Sequence, residues 1–167
     1  MNANLPGRFL ALAGLRQAVD DTLNGHGYRH VTAGTGAFWA CVLDEQIRKT
    51  SGGPYVGIRD ADSRGIVVHG LRLVRNGIAH GAHFMTDDGG FTFPITFPLI
   101  IPGPAWRPLD EILAAWTPMV TKDHDKQLSA YRERMAGRGP HEPLEEALDF
   151  FERLAAANWQ AKDMTAA

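Results

Sequence analysis

The residues of this chain best able to do chemistry gather in one short stretch. Segment 71–80 reads Leu-Arg-Leu-Val-Arg-Asn-Gly-Ile-Ala-His. On a helical wheel of about 100° per residue, His69, Arg72, Asn76, His80 and His83 share one side and Arg75 lies at its border. Val67, Leu71, Val74 and Ile78 form the apolar stripe roughly opposite, which predicts the core-facing side. Imidazole titrates at about 6.5 when unperturbed, so three histidines on one helix face suit proton transfer near neutral pH. A solvated polar face is the alternative account of the same pattern.

The helix that carries these residues is predicted over 64–83, capped by Ser63 and running to about Gly81. Around it the pattern is mostly helical. Leu5, Phe9, Leu12, Leu15, Val19 and Leu23 recur at helical spacing and Asn24-Gly25 supplies a stop. A Gly/His-rich connection follows, then a second helix from the cap Thr35 to about Thr50, with Phe38, Trp39, Val42, Leu43 and Ile47 inward; the run 51–54, Ser-Gly-Gly-Pro, ends it before a polar loop at 58–62. Near 91–104 the period becomes two, with Phe91, Phe93, Ile95 and Phe97 alternating with polar or proline residues. Pro94, Pro98 and Pro102 restrict this stretch to an edge hairpin or a draped, extended insertion. Pro108 opens a helical region to about Met135, bent or restarted at Pro118, and a last helix runs over 143–158. Trp39 and Trp116 are predicted core residues, whereas Trp106 and the phenylalanine stripe shield an edge of the bundle or a dimer interface. The expected fold is therefore mainly all-α: one domain over 1–160, a bundle of about five helices with one extended insertion, and a flexible tail over 161–167.

Bulk composition narrows the function classes. With 17 basic against 19 acidic residues the formal charge is −2, so a general affinity for nucleic acid or an anionic membrane is excluded and any RNA contact must come from a local patch. The one cysteine, Cys41, lies in the apolar run 38–43; a buried thiol in a reducing, cytoplasmic setting is the expectation, without an internal disulfide. Neither a membrane span nor a signal peptide is expected.

The stretch 75–80, Arg-Asn-Gly-Ile-Ala-His, resembles the signature of the HEPN ribonuclease superfamily, in which an Arg and a polar residue precede a His near the end of a middle helix of a small bundle. A second Arg-x4-His pair, Arg64 to His69, has Gly65 in place of the polar residue and sits at the helix start, so Arg75 to His80 is the better match. The resemblance implies metal-independent RNA cleavage, with no cofactor, in a homodimer whose two signatures meet in one cleft. In that chemistry the ribose 2′-hydroxyl attacks the adjacent phosphorus. His80 would act as base or acid, Arg75 would grip the phosphate and Asn76 would orient the phosphate or the imidazole, with Arg72 and His83 as further phosphate-binding candidates. A protein antitoxin or regulatory partner is compatible with the resemblance. Members controlled by nucleotidyl transfer carry a Tyr two residues after the His; here that position is Ala82. The alternative is a non-catalytic HEPN-like dimerisation or RNA-binding module, an accessory of a toxin or defence system.

Other constellations are weaker. His80 and His83 with Asp87-Asp88 lack a third ligand at a characteristic spacing for a metal. His26 and His30 lie in a Gly-rich stretch, Asp123-His124-Asp125 reads as a surface charge cluster, and Gly34-Thr35-Gly36 is better explained by a helix cap than by a phosphate loop.

Overall fold

The computed structural model describes residues 5–26, 28–86, 103–157 and 159. Six helices form among them: α1 (Leu5–Leu23), α2 (Arg29–Ala61), α3 (Val67–Ala79), α4 (Leu109–Ala115), α5 (His124–Arg134) and α6 (Glu142–Ala156). The first occupies the residues its leucine spacing predicts. Leu12, Leu15 and Val19 are buried along one side, and Gly14 leaves room for the indole of Trp39 from α2. α3 lies in the middle, packed against α2, α5 and α6, while α1 closes over α2 and α6.

The second helix departs from expectation at both ends. It begins at Arg29, because Gly34 and Gly36 are not linkers but points of close approach, to Ile78 and to Leu144. It is interrupted at Gly52, whose φ of 55° and ψ of −135° lie outside the helical region, and then resumes to Ala61. Glycine tolerates that left-handed turn without a Cβ penalty. Pro54 fits the first turn of the resumed stretch, where its missing N–H is no loss. The break has a structural consequence. In a straight helix Tyr55 would stand about 16 Å along the axis from Asp44, yet its hydroxyl donates to Asp44 Oδ1 at 2.7 Å. The segment 58–62 is thus largely helix, not loop, and its Arg59 is an interior residue.

Asp62, rather than Ser63, starts the turns that lead into α3: its carboxylate accepts the backbone N–H groups of Arg64 at 2.8 Å and Gly65 at 3.0 Å. α3 itself is shorter than predicted and more thoroughly enclosed. Val67, Val68, His69, Gly70, Leu71, Leu73, Val74 and Gly77 are all buried. His69, expected on the polar side, is 2% exposed, and Ile78, expected in the core, is 43% exposed. A wheel with one wet face fails for a helix flanked by neighbours on several sides.

After α3 the chain turns back along the bundle. Met85 and Trp106 form an antiparallel bridge; Thr86 N–H donates to the Ala105 carbonyl and Arg107 N–H to that of Phe84, both at 2.8 Å. This pairing joins the two flanks of residues 87–102; of the extended insertion predicted near 91–104, residues 91–102 lie outside the described residues. Trp106 is core, 1% exposed, not an edge shield, while Trp116 is half-buried against Phe84. The predicted helical region from Pro108 divides into two helices. Trp116 is extended and the chain stays non-helical to Asp123, since Thr117 precedes Pro118 and the residue before proline is pushed out of the helical region. No described helix is long and apolar enough to cross a membrane.

Candidate functional site at the end of α3

Two charged assemblies sit along α3, one interior and one at the surface. The interior one centres on Asp44 of α2, which is fully buried. Its carboxylate accepts from the Tyr55 hydroxyl and from Arg59 Nη1, each at 2.7 Å, and from Arg72 Nη2. Burial alone would raise its pKa, but the guanidinium groups of Arg59 and Arg72 hold it below the usual carboxylate range. Arg59 continues to Asp60 at 2.8 Å, and His69 Nε2 stands 2.8 Å from the same Asp60 oxygen. Lys126 of α5 closes the chain on the other Asp60 oxygen at 2.7 Å. The same Nε2 also lies 3.1 Å from Arg59 Nη2, and burial first, then the Arg59 charge, lower the His69 pKa. The network ties α2, α3 and α5 together.

The surface assembly lies one turn further on. Arg75 Nη1 donates to Glu45 Oε1 at 2.6 Å, and its Nε and Nη2 donate to Asn76 Oδ1 at 3.3 and 3.2 Å. With 29% of its side chain exposed, the guanidinium is held in place yet still reaches solvent. The helix then stops in a defined way. Gly81, at φ 79°, is the left-handed residue; Ala82 N–H donates to the Gly77 carbonyl and Gly81 N–H to that of Ile78, at 2.9 and 3.0 Å. That is a Schellman cap, and it places His80 at the final position of the helix with an exposed side chain. His83 follows in the turn, also exposed.

The predicted residues therefore separate. Arg75 and Asn76 are brought into contact, and His80 and His83 stand at the capped end. Arg72 is drawn away: its side chain is 12% exposed, paired with Asp44, and 3.5 Å from Glu45 Oε1. Its guanidinium is committed to the interior, which argues against the phosphate-binding role expected for it. Glu45 was missed by sequence reasoning. Only the packing of α2 on α3, which sequence spacing does not show, brings it to Arg75. Arg107 was missed too; its Nη1 donates to the His83 carbonyl at 3.3 Å, a contact created by the pairing of residues 84–86 with 105–107.

Beside the capped end lies a cavity of about 690 Å³, walled by Val31, Phe38 and Trp39 of α2, by Ile78, and by Phe84 and Trp106. The only close group of three potential metal ligands among the described residues is elsewhere, at Asp20, Asp21 and His26; Asp87 and Asp88 lie outside the described residues. No protein-family model, no curated protein and no solved structure matches the chain.

Proposed function

We propose that the chain is a metal-independent endoribonuclease of HEPN type, acting as a homodimer in which two copies of the α3 end face one shared cleft. The observation that carries this reading is a positioned cation and an exposed imidazole on one helix: Arg75, braced by Glu45 and Asn76, and His80 at the capped terminus. In the reaction the 2′-hydroxyl oxygen bonds to the adjacent phosphorus and the bond to the 5′-oxygen breaks. His80 removes the 2′ proton or protonates the leaving 5′-oxygen, and Arg75 stabilises charge on the phosphoryl oxygens. Asn76 orients the guanidinium, and His83 binds a flanking phosphate. Arg72 takes a supporting role, anchoring α3 to Asp44. A cytoplasmic location suits the one buried thiol.

The test is the chemistry of the product ends. Purified protein incubated with RNA in chelator is expected to leave a 2′,3′-cyclic phosphate or 3′-phosphate; products with 3′-hydroxyl and 5′-phosphate would exclude this mechanism.

A second reading draws on a specific observation. Arg75 already has an anionic partner at 2.6 Å, and the apolar Val31, Phe38 and Ile78, which line the cavity, are exposed. Both features suit a non-catalytic module that binds another copy, RNA or an antitoxin-like regulatory protein. Sedimentation and cleavage measured together separate the two readings.

A further inference from the structure

Two adjacent acids of α2 differ in their freedom to let go of a cation. Asp44 is fully buried and accepts from Tyr55, Arg59 and Arg72, so its carboxylate cannot leave without stranding three donors. Glu45, the next residue, has 34% of its side chain exposed, and among the described residues its carboxylate meets Arg75 and Arg72 alone. Both guanidinium groups address one oxygen, Oε1: Arg75 Nη1 at 2.6 Å and Arg72 Nη1 at 3.5 Å. An anionic oxygen held by arginine forks is also the arrangement by which proteins bind phosphate. Of the five N–H donors of Arg75, Asn76 Oδ1 engages one on Nε and one on Nη2, and Glu45 takes one on Nη1. The guanidinium therefore keeps its orientation through Asn76 when the carboxylate departs.

We propose that Glu45 is an exchangeable counter-anion: its carboxylate fills the anion position of Arg75 at rest, and a backbone phosphate of the RNA takes that position by displacing it. The inference rests on the ribonuclease reading and adds how that site is kept closed to simple anions. A part-exposed ion pair is weak, so a well-held ligand can displace it. The carboxylate is nevertheless tethered, which gives it an effective concentration in the millimolar range, and its charge repels a second anion. A lone phosphate ion gains only the Arg75 contact and loses that competition. A strand with neighbouring phosphates is gripped at His83 as well and wins it. Arg72 stays with Asp44 throughout, while Glu45 swings toward solvent.

The experiment measures binding of the full chain to a fluorescein-labelled single-stranded RNA whose 2′-hydroxyls are methylated, so that it cannot be cleaved. Titrations are run with and without millimolar inorganic phosphate at constant ionic strength. Glu45→Gln removes the charge at nearly constant volume, with urea unfolding as the check on folding, and Glu45→Ala serves if the glutamine variant does not fold. The expected result is RNA binding about threefold or more tighter than wild type, with inorganic phosphate competing in the variant and not in wild type. In an Arg75→Ala background the same substitution should change nothing, which separates exchange at Arg75 from a general loss of negative charge. Unchanged or weaker binding in the Glu45 variant, or tightening that survives Arg75→Ala, overturns the proposal, as does an absence of RNA binding by every form. Cleavage of the unmethylated strand is followed in parallel. Tighter binding without cleavage by any form supports the exchange while removing the ribonuclease reading; cleavage by wild type with unchanged binding in the Glu45 variant removes the exchange alone.

Discussion

The first and last turns of α3 carry similar side chains and put them to different use. At its start, His69 is 2% exposed and the neighbouring Arg72 only 12%, and both join a buried network through Asp60 and Asp44. At its end, Arg75 and Asn76 are part-exposed with one anionic brace, Glu45, and His80 and His83 are exposed. Interior cations and anions that satisfy each other hold helices in register, and removing one leaves an uncompensated charge. Surface groups with spare donors remain available to a ligand. Mutations at the two ends should therefore separate stability from activity.

The strongest break is expected at Asp44. Asp44→Ala leaves Arg59, Arg72 and Tyr55 without their shared acceptor, and stability in urea should fall by about 3–5 kcal/mol. Arg75→Ala, whose pair with Glu45 is about one-third exposed, should cost less than about 1 kcal/mol. Equal losses would remove the distinction between the two ends.

Gly77 lies where the two regions meet. A Cβ there would collide with the Phe84 ring, so Gly77→Ala should cost about 1–3 kcal/mol by overpacking. It should also move Phe84, a cavity wall; a variant as stable as wild type would show that the ring yields freely.

A smaller effect concerns pH. Burial first, then the Arg59 charge, lower the pKa of His69. The unfolded chain therefore takes up a proton at about 6.5 that the folded chain refuses. The stability associated with neutral His69 is complete above that pH and is lost as pH falls toward the lowered folded value. Asp60, despite burial, is held well below the carboxylate range by Lys126, His69 and Arg59, so it stays charged through this interval. His69→Gln should flatten the unfolding free energy below about pH 6.5. An unchanged slope would place the titration in another histidine.

The smallest expected signal is a labelling rate. Burial pushes the Cys41 thiol up to about 12, against the lowering influence of Arg75 and Arg72. Native protein should resist a thiol reagent, Asp44→Ala should label faster, and Arg75→Ala should not.

Several of these features could be read from the sequence. α1 follows its leucine spacing, and the capped end of α3 follows from a glycine directly after His80. Arg75 and Asn76 meet because they are neighbours on the chain. The interior role of His69 could not be read, because its partners come from the end of α2 and from α5. The restart after Gly52 was hidden for a similar reason: Gly-Gly-Pro stops a helix locally, and only the contacts of Tyr55 and Arg59 with Asp44 show why helix resumes. Ile78 was misplaced because the wheel assigns each side of a helix one environment.

The most direct measurement compares wild type, Arg75→Ala and His80→Ala on a single-stranded RNA in chelator, with urea unfolding run on the same preparations. The expected result is cleavage by wild type, a loss of at least about a hundredfold in His80→Ala and a large loss in Arg75→Ala, with unfolding free energies within about 1 kcal/mol of wild type. Absence of cleavage by the folded wild type, or cleavage that persists in both variants, would contradict the assignment of the α3 end as a ribonuclease site.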